Sequence, residues 1–175
     1  LAQGKILVSD VAAQRVAMLA LPEEKPAAFL EIGAGRGTKT ILLQSNAQRK
    51  YGSQMKHYTL DNHEFKARVL RERAEKYGIE VADALTLDAT EMTAEDFPET
   101  FDAVFIDAPC SGLGTLRRHP EIRWRLNERG IENLAAKGLK MLQTAAALVN
   151  PGGRLTYSTC TVTKRENQDF IMEFL

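Results

Sequence analysis

Two short stretches of this chain carry residue types that together can do covalent chemistry. The first is Phe105-Ile106-Asp107-Ala108-Pro109-Cys110-Ser111-Gly112, where an apolar run ends in a carboxylate and breaks into Pro, Cys, Ser and Gly. The second is Tyr157-Ser158-Thr159-Cys160-Thr161. A thiolate beside a carboxylic acid is equipped to add to C6 of a pyrimidine. The addition makes C5 nucleophilic, while the acid protonates or hydrogen-bonds N3 as charge builds there. A free thiol titrates near ~8.5, so such a nucleophile needs a depressed pKa or a neighbour that takes its proton. Read in isolation, Cys110 also fits a buried, inert residue at a strand-end turn.

The elements that must position these groups follow from the apolar pattern. Residues 9–20 predict a helix capped by Ser9 or Asp10 and stopped by Pro22. A short strand, Ala27 to Ile32, runs into Gly33-Ala34-Gly35-Arg36-Gly37-Thr38-Lys39-Thr40, and helical spacing resumes at Ile41. A second strand, Met55 to Leu60, ends at Asp61, and a helix over 63–77 stops at Gly78. Ile79 to Leu87 predicts a third strand ending at Asp88, and the acidic stretch 88–102 a solvated loop or short helix. The strand ending at Asp107 is followed by a basic connector over 113–129 and a long helix over 128–149. Asn150-Pro151-Gly152-Gly153 predicts a stop, and Arg154 to Ser158 a last strand leading to Cys160. Strands alternating with helices argue for an α/β fold, a mostly parallel sheet with helices on both faces. All the polar strand ends then gather on one edge.

Along that edge, Glu31-x-Gly33-x-Gly35-x-Gly37 lets backbone approach a ligand closely, ahead of a helix N-terminus. The glycine spacing fails the dinucleotide fingerprint G-x-G-x-x-G, which disfavours a nicotinamide dehydrogenase. Asp61 is placed to meet a ribose hydroxyl pair, or to cap the next helix. Asp88 reads as a second ligand acid or a loop carboxylate. Acids on successive strand ends would repel a pyrophosphate but suit a nucleoside and a sulfonium cation, which points to S-adenosylmethionine as cofactor. The connector residues Arg117, Arg118, His119, Arg123 and Arg125 supply positive potential and candidate phosphate contacts, or else a solvated loop.

Composition sets the outer bounds. The 175 residues read as one domain, 1–175, with 23 basic residues against 23 acidic ones, so overall charge names no polyanionic partner. Two Cys without an apolar leader argue for a reducing, cytoplasmic setting. No apolar run approaches the roughly 20 residues a bilayer span needs, so no membrane contact is expected. No metal site is expected either. The chain begins at Leu1 and stops within a helical pattern at Phe174-Leu175, which reads as a fragment.

Taken together, these residues resemble the Sun-type RNA (cytosine-5) methyltransferases along almost the whole chain. The resemblance is carried by Ser9-Asp10-Val11-Ala12-Ala13-Gln14, by Asp107 to Gly112 with Arg118-His119-Pro120-Glu121-Ile122-Arg123-Trp124, and by Tyr157 to Thr161 with Glu166-Asn167. It implies a Rossmann-like class I fold that here stops before the last two strands of the usual seven. It also implies methyl transfer from S-adenosylmethionine to C5 of a cytosine in RNA, with ribosomal RNA as the partner. By the resemblance Cys160 is the nucleophile, Cys110 assists product release, Asp107 contacts both cofactor and base, and Lys39 lies in the active site. Asp61 and Asp88 fall on cofactor-binding acids; the glycine turn itself places the cofactor over Gly33, Ala34, Gly35, Arg36, Gly37, Thr38 and Lys39, with Glu31 beside them. Family members usually read Cys-Ala-Ala-Pro-Gly-Gly-Lys where this chain has Gly33 to Lys39, a glycine turn closer to that of general class I methyltransferases. Two other readings remain open at this point. One is a DNA-type enzyme using Cys110 as nucleophile; the other is a silent nucleoside- or RNA-binding module.

Overall fold

The computed structural model describes residues 4–175, so the first three residues of the expected domain lie outside the described residues. In chain order the elements are α1 (Val11–Leu19), β1 (Phe29–Ile32), α2 (Thr38–Tyr51), β2 (His57–Asp61), α3 (Glu64–Tyr77), β3 (Asp83–Thr86) and β4 (Phe101–Asp107). They continue with α4 (Ile122–Arg125), α5 (Glu128–Ala146), β5 (Val149–Ser158) and α6 (Phe170–Phe174). The strands lie in the order β3-β2-β1-β4-β5, and every neighbouring pair is parallel. Strand order reverses between β1 and β4, the crevice where open α/β sheets bind their ligands.

Side-chain alternation divides the sheet into two dry faces. Leu30, Ile32, Leu60, Val104 and Ile106 pack against Met141 and Leu142 of α5 and Phe170 of α6. Phe29, Ala103 and Phe105 pack against Ala17 of α1 and Leu43 and Ala47 of α2. Ala67 and Leu70 hold α3 against Ala84 of β3. β1 and most of β4 are buried, which is why they read as continuous apolar runs.

Local chemistry sets the helix starts. Asp10 caps α1 by accepting the Ala12 N–H at 2.8 Å, and Asn127 caps α5 by accepting that of Gly130 at 2.8 Å. α2 has no side-chain cap; it starts from Gly37, at φ 79°. Gly33, at φ 80°, ends β1 where an added Cβ would sit 2.3 Å from the Asp107 carbonyl oxygen. Gly33→Ala therefore adds left-handed strain and a backbone clash at the switch point. Its expected cost is about 2–4 kcal/mol, read as a lower urea midpoint. An unchanged midpoint would mean that β1 and β4 separate freely there.

Three expectations are corrected. The acidic stretch 88–102 holds the expected short helix, a 3₁₀ turn at Ala94–Asp96, but is not merely solvated, because Met92 and Phe97 are buried in the core beside Phe101, where β4 already begins. Asn150-Pro151-Gly152-Gly153 does not precede the last strand but lies within it. Phe101 pairs Val149 while Ala103 pairs Arg154, so these four residues loop out of the ladder. Asn150 Nδ2 fastens that irregularity to Asp102 Oδ1 at 2.7 Å. The basic connector is not only loop, since it contains a 3₁₀ turn at Leu113–Thr115 and the single turn α4.

Candidate active site

The carboxyl ends of the strands open onto a cavity of about 340 Å³. Gly33 and Gly35 form one wall, Asp61 and Asp88 another, and Asp107, Cys110 and Cys160 its inner end. The Asp61 carboxylate accepts the Gly35 N–H at 3.0 Å and the His63 N–H at 3.1 Å, and pairs with Lys66 at 3.1 Å. It thus ties the glycine turn to the start of α3 without being that helix's cap: the N-cap position is His63, and no side chain caps it, which corrects the cap reading of Asp61. Asp88 accepts the backbone N–H and the hydroxyl of Thr90, at 2.9 and 2.8 Å, through one oxygen. Those bonds hold its carboxyl below the usual carboxylate range.

At the inner end Lys39, in the first turn of α2, reaches across the crevice to Asp107 with 2.6 Å between Nζ and Oδ2. Ser158 Oγ donates to the other Asp107 oxygen at 3.3 Å. Burial pushes the Asp107 carboxyl above its ordinary range, with Lys39 acting against it. An acid held this way keeps its proton more readily than a surface aspartate.

The two thiols, fifty residues apart in sequence, lie with their Sγ atoms 3.3 Å from each other. Their environments drive them in opposite directions. Donation by Cys110 lowers the Cys160 thiol to about 7, with Lys39 assisting and burial and Asp107 opposing. Holding that proton for Cys160, together with burial, pushes the Cys110 thiol well up. The Cys160 N–H also points at Cys110 Sγ, at 3.3 Å. The pair therefore titrates as a unit, in which Cys160 is the thiol driven towards ionisation and Cys110 the one driven away from it.

A second cavity, of about 300 Å³, opens on the other side of the same groups. Lys39, Asp107 and Cys160 line both cavities, so these three residues form the partition. The far walls of the second are Asp10, Ala13 and Val16 of the first helix region, with Thr115 and Arg118 of the connector. Arg118 pairs with Asp10 there.

The sequence-predicted residues do not all converge. Gly33, Gly35, Lys39, Asp61, Asp88, Asp107, Cys110 and Cys160 line the first cavity. Glu31 does not: it is wholly buried beneath the sheet edge, accepts the Thr40 hydroxyl at 2.7 Å and faces His57. Ala34, Arg36, Gly37 and Thr38 are also absent from that lining. The Arg36 guanidinium lies over the Phe65 ring, and Thr38 Oγ1 accepts from Arg73, because the glycine turn aims these side chains at α3. Arg118 lines the second cavity, while Arg117, His119, Arg123 and Arg125 are exposed. Sequence reading missed Asn62, Lys66 and Lys137 on the first cavity. Asn62 directly follows a strand-end acid, a signal that could have found it; Lys66 and Lys137 carry none, being ordinary helix-surface residues by spacing.

Sheet order, site and family model together define a Rossmann-like methyltransferase domain. Within that class, the chain belongs to the 16S rRNA methyltransferase RsmB/F family, whose family model matches residues 16–175. It is 33% identical over 172 residues to the probable ribosomal RNA small subunit methyltransferase B of Bacillus subtilis, covering 98% of this chain and 37% of that protein. The corresponding protein of Synechocystis is 33% identical over 174 residues, covering 99% and 38%. The crystal structure of PH0851 superposes with a TM-score of 0.87 at 33% identity, over 99% of this chain and 38% of that one. NSun6 from Pyrococcus horikoshii, solved with SFG, gives 0.83 at 21% identity over 98% and 42%, a likeness of fold alone. The chain thus spans under two-fifths of the curated relatives it matches.

Proposed function

We propose that this domain transfers a methyl group from S-adenosylmethionine to C5 of a cytosine in RNA, with ribosomal RNA as substrate and Cys160 as nucleophile. The observation that carries the reading is the unequal thiol pair beside Asp107, standing between two cavities that share it. Family membership supports RNA methylation as the activity.

The first cavity suits the cofactor. At Gly35 a Cβ would meet nothing nearer than the Gly33 carbonyl oxygen, at 3.9 Å, so that wall is open backbone; Asp61 and Asp88 offer acceptors to hydroxyl and amine donors, and the carboxylates favour a cation over a phosphate. Bound there, S-adenosylmethionine supplies an electrophilic methyl on its sulfonium. Asp61→Ala should weaken its binding by roughly 1–3 kcal/mol, the usual loss for a charge-assisted hydrogen bond. Titration calorimetry reads this directly, and unchanged affinity would remove Asp61 from the cofactor's contacts.

The second cavity then takes the target base, against Cys160 on one side and the Asp107–Lys39 pair on another. The Cys160 thiolate adds to C6, and the ring electrons displaced towards N3 are met by the proton that Lys39 and Asp107 share across their 2.6 Å contact. C5 becomes an enamine carbon that accepts the methyl. C5 then carries both hydrogen and methyl, and its proton must leave before the C6–sulfur bond can break. With Cys160 bonded to carbon, the negative charge that held the Cys110 proton is gone. Cys110 can then lose its proton to solvent and, as a thiolate, take the C5 proton; the C5–H electrons form the C5–C6 double bond, the C6–S electrons return to Cys160, and N3 gives its proton back.

RNA outside the pocket meets the connector. Arg117, Arg123 and Arg125 are free of ion pairs among the described residues, and Trp124 beside them is 83% exposed, a face for base stacking. The DNA-type alternative needs Cys110 as the thiolate, opposite to the direction in which its surroundings push it. The test is methyl transfer from labelled cofactor to unmodified ribosomal RNA, with the product base identified after digestion. Label in 5-methylcytosine supports the reading; binding of cofactor and RNA without any transfer overturns it.

A further inference from the structure

We propose that Glu166 and Asn167 are positioning residues that clamp the two cysteine loops together and so set the thiol pair. The two residues sit on one π-helical turn, Arg165–Asp169, where Lys164 O accepts the Asp169 N–H at 3.1 Å. Single π turns recur at functional sites because they re-aim neighbouring side chains. Here each neighbour holds one loop.

Glu166 is 1% exposed, a carboxylate buried with no cation among its partners in the described residues. Its Oε1 accepts the Ser111 N–H at 2.6 Å, one residue past Cys110. Its Oε2 accepts the Ser111 hydroxyl and the Thr163 hydroxyl, each at 2.6 Å. Ser111 Oγ in turn lies 2.6 Å from Thr161 Oγ1, one residue past Cys160. Asn167 holds the other flank: its Oδ1 accepts the Thr159 hydroxyl at 2.8 Å, one residue before Cys160. Its Nδ2 donates to Thr163 O at 2.7 Å, which closes the turn.

Burying a carboxylate on neutral donors is costly, and a fold that needed only a bridge here could use apolar packing instead. What the carboxylate supplies is direction. Both oxygens accept from Ser111, so the backbone after Cys110 can take few other orientations. The 3.3 Å contact between the thiols depends on that orientation and on the backbone at Thr159–Thr161. Besides Cys110, the charged groups facing Cys160 are Lys39 and Asp107, and neither touches the clamp. Loosening the clamp should therefore act on Cys160 through Cys110.

The proposal rests on the thiols being the reacting groups, but its test reads them without RNA or turnover. The pH profile of iodoacetamide alkylation is followed separately for the Cys160 and Cys110 peptides by mass spectrometry. In Glu166→Ala and Asn167→Ala, Cys160 should return towards an ordinary thiol near ~8.5, so its alkylation at neutral pH slows about tenfold. Glu166→Gln keeps the shape and an acceptor for the Ser111 N–H, and should stay within about threefold of wild type. In a Cys110→Ala background the clamp substitutions should add no further change, since the group they act through is gone. Should Glu166→Ala fail to fold, Asn167→Ala decides alone. A wild-type profile in the folded clamp variants would overturn the proposal. So would an undiminished loss in the Cys110→Ala background, which marks a merely structural role.

Discussion

Cys160→Ala is expected to abolish methyl transfer and to form no covalent protein–RNA species, while Cys110→Ala accumulates one. Both effects follow from the asymmetry of a single pair of sulfurs 3.3 Å apart. Removing Cys160 removes the only thiol that its surroundings hold near neutrality, at about 7. The expected loss is roughly 10⁴-fold or more, the scale on which loss of a covalent nucleophile is felt. Cofactor affinity should survive, because only a small, solvent-accessible side chain is lost. Removing Cys110 leaves addition and methylation possible but takes away the nearest acceptor for the C5 proton. RNA should then migrate with the protein on a denaturing gel. An adduct with Cys160→Ala but none with Cys110→Ala would reverse the assignment.

Asp107→Asn carries the second large effect. The amide cannot protonate N3, and it leaves Lys39 without its 2.6 Å partner. Loss of a positioned acid and of the charge arrangement around it should slow single-turnover methylation about 10²–10³-fold. The pH dependence gives a further sign to check. In the wild type the rate should fall about tenfold per pH unit below ~7, as the Cys160 thiolate is protonated. Asp107 raises the Cys160 pKa and Lys39 lowers it. Replacing the acid with a neutral amide should therefore move that limb to lower pH while the plateau drops. A limb that moves to higher pH would show that Asp107 acts on Cys160 by another route.

How much of this was legible beforehand depended on whether the information was local. β1, β2 and β4 and the glycine turn were readable because each combines an apolar run with a polar or glycine stop, and both signals lie within ten residues. The convergence of Asp61, Asp88, Asp107 and Cys160 followed from parallel topology alone, since every strand presents its end to the same edge. The roles of Cys110 and Cys160, by contrast, entered through the family resemblance; nothing local to either thiol says that Cys110 donates to Cys160. Glu31 misled because a strand-end acid before glycines reads as a ligand contact. Its side chain points into the sheet face that α2 covers, where Thr40 meets it. Asn150 to Gly153 misled because Pro and Gly stop an element unless the neighbouring strand carries a partner for the irregularity. Asp102 supplies one, forty-eight residues upstream. The Glu166–Ser111 link, across fifty-five residues, was invisible for the same reason.

The claim on which the account stands is that the bond to C6 forms at Cys160. It can be read in the unmutated protein with an RNA substrate carrying 5-fluorocytosine at the target position, because fluorine cannot leave as a proton and the adduct cannot resolve. Trypsin separates the two candidates, placing Cys160 in Leu155–Lys164 and Cys110 in Tyr77–Arg117. The account predicts that, in the presence of S-adenosylmethionine, the nucleotide mass appears on Leu155–Lys164. The same mass on Tyr77–Arg117 would contradict it.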